Sequence, residues 1–160
     1  MILSKRTWFI ISTISWLGIG IMLLMKGLRL TVAAAEQAAG AAPLLNMFVS
    51  LAGSRQQAAL LIICLSLFIG FIKGRVILAK TVSRIASRIN LHPEGLTLKE
   101  AYDKKYWIIL GLMMGIGMLF RVLPIPGDIH GGIDVAIGSA LINGAMLYFR
   151  HVLAPEKRHL

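Results

Sequence analysis

The sequence predicts an all-α integral membrane protein, a four-helix bundle with both termini on the cytoplasmic side. Three observations predict it. Hydrophobic residues make up 57% of the 160 residues, above the about 45–50% usual in soluble domains. The mean hydropathy is +0.76. The apolar residues gather into four runs, and the lysines and arginines mass on alternate sides of them. Lipid cannot satisfy free backbone groups, so each run must be a helix, since four strands cannot close a barrel.

The first span covers about residues 7–25, from Thr7 through the core WFIISTISWLGIGIMLL to Met25. A secretory signal would share its basic start and apolar stretch. This run exceeds the ~7–15 residues of a signal core, and Lys26 and Arg29 follow it directly, so an uncleaved anchor is expected. Residues 30–57 read as a long outer connection, beginning with the alanine-rich AAAEQAAGAA. The apolar patch Pro43–Val49 within it is either an interfacial helix or the early start of the second span. That second span covers about residues 58–78.

A cytoplasmic connection, residues 79–105, opens on a basic amphipathic stretch and closes on HPEGLTLKEAYDKK, with His92-Pro93 as a helix stop. The third span covers about 106–123. PIPGDIHGG follows, and its prolines and glycines predict a short outer turn. The fourth span covers about 133–149. Each is near the ~17–25 residues that cross a hydrocarbon core of ~30 Å. The whole chain, 1–160, forms one transmembrane domain.

Orientation follows the cations. Thirteen lysines and arginines flank the cytoplasmic ends of the runs, against Lys26, Arg29, Arg55 and Arg121 on the other side. The positive-inside rule then gives N-in and C-in. The net charge of +10 would suggest nucleic acid in a soluble protein. Here it flanks membrane segments, and no aromatic-basic platform is present, so no nucleic acid partner is expected. The expected location is the bacterial inner membrane or its equivalent. Two tandem helical hairpins are also suggested: Gly18-Ile19-Gly20 parallels Gly115-Ile116-Gly117, and Lys73-Gly74 parallels Asn143-Gly144. Chance similarity between Leu/Gly-rich helices explains the same pattern.

The sharpest chemical signal is FIKGRVILAKTVSRIASRI, a basic amphipathic helix expected over about residues 73–91. Lys73, Lys80, Arg84 and Arg88 recur at helical spacing, with Arg75 beside them and no acidic residue between. Such a face meets phosphates of anionic lipid or of a phosphate-bearing partner. A plain positive-inside anchor would look the same.

Small residues four apart, Gly70/Gly74, Gly111/Gly115 and Ala136/Ala140/Gly144, let helix backbones approach. They predict packing within the bundle, or a homo-oligomer or larger complex. Asn143 is the amide well inside a span, as an interhelical hydrogen bond or a pathway residue. No Asp or Glu is expected inside a span; Asp134 is placed at the outer end of the fourth. Arg121 is expected to pair with Asp128 or Asp134 across the short turn.

Cys64 is the single cysteine, so no intrachain disulfide forms. Zinc-protease, thiol-redox, nucleophile-elbow and phosphate-loop motifs are missing, and no catalytic residue, cofactor or metal site is assigned. The reading is a non-enzymatic membrane protein that binds anionic lipid or a phosphate-bearing partner. The alternative is a small oligomeric channel or transporter, with Asn143, Arg121 and Asp134 as polar candidates.

Overall fold

In the computed structural model the described residues are 5–37, 39–78 and 122–153, with the single positions 108, 111, 115 and 119. Four helices pack together. Helix α1 spans Lys5–Glu36. A 3-10 turn, Ala39–Ala41, leads into α2, Pro43–Ala52. Helix α3, Arg55–Lys73, runs into a π-helical segment, Gly74–Leu78. Helix α4 spans Gly127–Leu153.

Three of these helices are long and apolar enough to cross a membrane: Ile10–Glu36, Arg55–Val76 and Gly127–Arg150. They make the protein a candidate multi-pass membrane protein. The expected third span lies outside the described residues, save for the isolated positions.

Helix α1 does not stop at Lys26. Gly27 after Lys26 resembles a helix end, but no proline follows, and Leu28, Leu30, Val32 and the alanines carry the helix on to Glu36. Its last carbonyls are satisfied from another element. Arg55 at the start of α3 donates from Nε to Ala35 O (3.1 Å) and from Nη2 to Ala34 O (3.1 Å), while Nη1 reaches Asn46 Oδ1 (3.0 Å). A cation at a helix C-terminus also complements the helix dipole.

The Pro43 patch is a separate ten-residue helix, not the beginning of the second span. Proline at its first position has no N–H to leave unpaired. Gly53 ends it in the left-handed conformation, φ 86°, and donates to Val49 O at 2.8 Å. Ser54 then caps α3, its hydroxyl accepting from Gln57 N at 3.2 Å. These two residues turn the chain sharply from α2 into α3.

Helix α4 is the centre of the assembly. Half of its candidate span is buried, against 17% for α1 and 22% for α3. It runs antiparallel to α1: Gly20 lies against Gly138 and Ile142, and Gly27 against Gly131 and Val135. It runs parallel to α3: Gly132 lies beside Ile62 and Ser66, Gly70 against Ala136, and Gly74 against Ala140. The chain therefore leaves α3 at one end of the bundle and enters α4 at the other.

Close backbone approach is what holds these pairs, because lipid tails offer side chains as apolar a home as a protein core does. A Cβ on Gly27 would stand 2.6 Å from Val135 N and 2.7 Å from Gly131 O. Ser139 ties the parallel pair by donating to Leu67 O at 3.2 Å, across helices and not back to its own backbone. Near the other end of the α1–α4 seam, Trp16 packs on the fully buried Tyr148 with ring centroids 5.9 Å apart. A compact apolar cluster of Ala34, Ala42, Leu45, Ala58, Ala59 and Ile62 joins α1, α2 and α3 at the end where α4 begins. Large apolar side chains such as Ile14, Met22, Leu60 and Phe68 stay exposed along α1 and α3. A lipid-facing surface has that composition.

Candidate functional site

The PIPGDIHGG segment is not a turn throughout. Pro124–Pro126 is non-helical, and Gly127 to Gly132 form the first turns of α4. Two turn glycines thus become helix-packing positions. A Cβ on Gly131 would collide with Thr31 Oγ1 and stand 2.8 Å from Gly27 O. Thr31 itself returns its hydroxyl to Gly27 O at 2.9 Å, which keeps that face of α1 free of unpaired groups.

This shift in the helix start moves Asp128, His130 and Asp134 into a candidate span. The candidate span Gly127–Arg150 thus includes two carboxylates, where the expected span of about 133–149 had only Asp134, at its outer end. Asp134 lies seven residues past Gly127, about 10 Å along the axis at ~1.5 Å per residue.

Lys26 on α1 meets it there. Lys26 Nζ stands 2.9 Å from Asp134 Oδ2 and 3.2 Å from His130 Nε2. His130 Nε2 is 3.5 Å from the same Asp134 oxygen, one helical turn away. The carboxylate side chain is 9% exposed and the lysine side chain 53%. The pair thus has a dry end on α4 and an open end on α1. Ionisable groups within a membrane span are costly, and they persist where they pair or serve a pathway.

Asp128 takes a different role. It is fully buried. Its Oδ2 accepts from Leu45 N at the start of α2 (2.9 Å), and its Oδ1 from Ile129 N (2.9 Å). A carboxylate from α4 therefore satisfies an orphan donor at the α2 N-terminus and meets the positive end of that helix dipole. The short α2 is pinned between this contact and Arg55–Asn46.

The expected pairing of Arg121 with Asp128 or Asp134 falls outside the described residues. Among the described residues, Lys26 meets Asp134 and the α2 backbone meets Asp128. Lys26 was hidden by the expectation that the first helix ended before it. The signal was present: Gly20 and Gly27 lie seven apart, as do Gly131 and Gly138, and His130 and Asp134 lie four apart.

The remaining candidate residues fall in several places. Asn143 donates from Nδ2 to Ser139 O of its own helix at 3.0 Å. Gly70 and Gly74 face α4, and Gly144 is buried. Gly111 and Gly115 are exposed, and a Cβ on either would meet nothing within 4 Å. They share one face with the exposed Ile108, Leu119 and Val122, spaced as on a helix.

Lys73 and Arg75 are exposed at the end of α3, and Arg75 lies over the Phe71 ring at 5.9 Å. The π segment Gly74–Leu78 changes the helical phase directly after Lys73. Lys80, Arg84 and Arg88 lie outside the described residues, as does the basic helix beyond Leu78. Among the described residues no group of three or more His, Cys, Asp or Glu is placed to hold a metal ion.

Comparison with known proteins finds no matching family model, no matching curated protein and no matching solved structure.

Proposed function

We propose that the protein is a non-enzymatic, four-span membrane component that associates with itself or with a larger complex. Its cytoplasmic basic segment binds the phosphate of anionic lipid. The topology part draws support from the parallel run of α3 and α4. Successive spans that run parallel need a crossing between them, and the apolar run 106–123 has the length for it. With the cation distribution, this gives N-in and C-in, as in a bacterial inner membrane protein.

The observation that carries the binding part is the end of α3. Lys73 and Arg75 stand exposed among exposed Phe71, Ile72 and Val76. Apolar residues at the acyl boundary with cations at the headgroups are what an anionic bilayer surface selects. Lys80, Arg84 and Arg88 would add to the same charge.

Native mass spectrometry of protein extracted with its own lipids tests this reading. Retained phosphatidylglycerol or cardiolipin, lost when Lys73, Arg75, Lys80, Arg84 and Arg88 are changed to Gln, supports it. Adducts that persist in that variant overturn the lipid part. Retention of a soluble phosphorylated compound in place of lipid would identify the other source of the phosphate.

A second reading, a small oligomeric channel or transporter, gains support from Lys26 and Asp134. Ion-coupled carriers place such charges at membrane depth. Solute flux into proteoliposomes, abolished by Lys26→Met, would favour it over the first.

A further inference from the structure

The packing glycines set the levels of the three long helices. Gly131 of α4 lies against Gly27 and Thr31 of α1, and its neighbour Gly132 lies beside Ile62 and Ser66 of α3. Arg29, between Gly27 and Thr31, is therefore level with residues 62–66 of α3. The candidate span on α3 runs Arg55–Val76, so this level is close to its middle. Around it α3 exposes Leu60, Leu65 and Phe68, and α1 exposes Met25 and Val32 beside Arg29. Such a belt faces acyl chains wherever α3 crosses a membrane.

Arg29 is exposed, and no hydrogen bond or ion pair holds it among the described residues. Lys26, one turn earlier on α1, has Asp134 at 2.9 Å. Asp128 is fully buried and accepts from Leu45 N and Ile129 N. Glu36 lies seven residues further along α1, about 10 Å at ~1.5 Å per residue. Glu94, Glu100, Asp103 and Glu156, the chain's other acids, lie outside the described residues. A guanidinium keeps its charge in a protein, so at membrane depth it calls for a fixed anionic partner.

We propose that the α1 face around Arg29 docks a spanning helix of a different membrane protein, one that carries an Asp or Glu at the same depth. The inference rests on the reading of a membrane component in a larger complex, and it names the contact. A carboxylate accepts two parallel N–H bonds from a guanidinium. Lipid phosphates stand at the ends of a span, roughly 15 Å from its middle. A second copy of this chain in the same orientation fits poorly, because its Asp128 and Asp134 are engaged and its Glu36 is off level. Ala33, one turn beyond Arg29 and exposed, leaves room for a helix backbone to approach.

Two measurements on the full chain test this. A nitroxide on the native Cys64, the single cysteine, exposed on α3 at the level of Arg29, reads depth in nanodiscs. Strong relaxation by oxygen and weak relaxation by a water-soluble nickel chelate are expected. The reverse overturns the spanning reading of α3 and the proposal with it. A photoreactive residue at position 32 is then irradiated in the native membrane, and its product is identified by mass spectrometry. The expected product joins a membrane protein with an Asp or Glu in a spanning segment. Its yield should fall several-fold in Arg29→Leu, hold in Arg29→Lys, and recover when Arg29→Glu is combined with an arginine in place of the partner's carboxylate. With Cys64 in hydrocarbon, a yield unchanged in Arg29→Leu overturns the proposal alone. So do products confined to lipid or to a second copy, or a partner with no carboxylate in any span. If Arg29→Leu fails to fold, Arg29→Lys and the paired exchange still decide.

Discussion

Replacing Gly27 by Ala should loosen the bundle, although alanine is the better helix former. A Cβ there would stand 2.6 Å from Val135 N, 2.7 Å from Gly131 O and 2.9 Å from Val135 Cγ2, where ordinary contact begins at 3.4 Å. The first two atoms are backbone, so no rotamer change relieves the clash. The α1 and α4 axes must part by the best part of an ångström, which also stretches the neighbouring Lys26–Asp134 pair.

Overpacking of this kind costs about 1–3 kcal/mol, and the helix-propensity gain from Gly to Ala returns at most about 1 kcal/mol. The expected net loss is therefore about 1–2 kcal/mol, up to roughly thirtyfold in the unfolding equilibrium. Gly18 is the control. It lies on the same helix with nothing within 4 Å of an added Cβ, so Gly18→Ala should be neutral or slightly stabilising. Unfolding in mixed detergent micelles, followed by helical circular dichroism and Trp fluorescence, reads both. If Gly27→Ala proves as stable as Gly18→Ala, close packing of α1 on α4 at Gly27 is refuted.

Asp128→Ala should cost about 1–3 kcal/mol by leaving the buried Leu45 N–H without its acceptor. Asp128→Asn keeps an acceptor oxygen and should cost less, and limited proteolysis around residues 37–54 should rank the two in that order. Arg55→Gln removes a cation from the end of α1 and hydrogen bonds to Ala34 O and Ala35 O. It should lower stability by about 1–2 kcal/mol in the same micelle assay, with a loss concentrated in exchange protection of residues 31–36.

The broad class was legible because membrane insertion reads average apolarity, and so does a run of Leu, Ile and Met. The ends of the helices were not legible by the same rule. Lys26 looked like a boundary since cations mark interfaces, yet a lysine with a carboxylate on the next helix can sit inside one. Asp128 to Gly132 looked like a turn since Gly and Asp favour turns in water. In the fold those glycines are helical and become contact points, Gly131 against Gly27 and Thr31, Gly132 beside Ile62 and Ser66. The site followed from these two errors. Its charges come from α1 and α4, which lie far apart in sequence, and only their glycine spacing hinted that the helices meet. The separate α2 was half legible: Pro43 announced a start, but nothing local announced that Gly53-Ser54 would divide it from α3.

The central position of α4 also sets an order of assembly. The helix that fills the seams of both α1 and α3 emerges from the ribosome after them. Until it does, Lys26 lacks the Asp134 carboxylate, and the glycine faces of α1 and α3 lack the α4 backbone they pack on. Helices α1 and α3 already share the Ala34, Ala58, Ala59 and Ile62 cluster and the Arg55 contacts, so the last helix fills their glycine faces and does not first bring them together. A chain stalled before Gly127 would leave Lys26 without Asp134 and the glycine faces of both earlier helices unfilled.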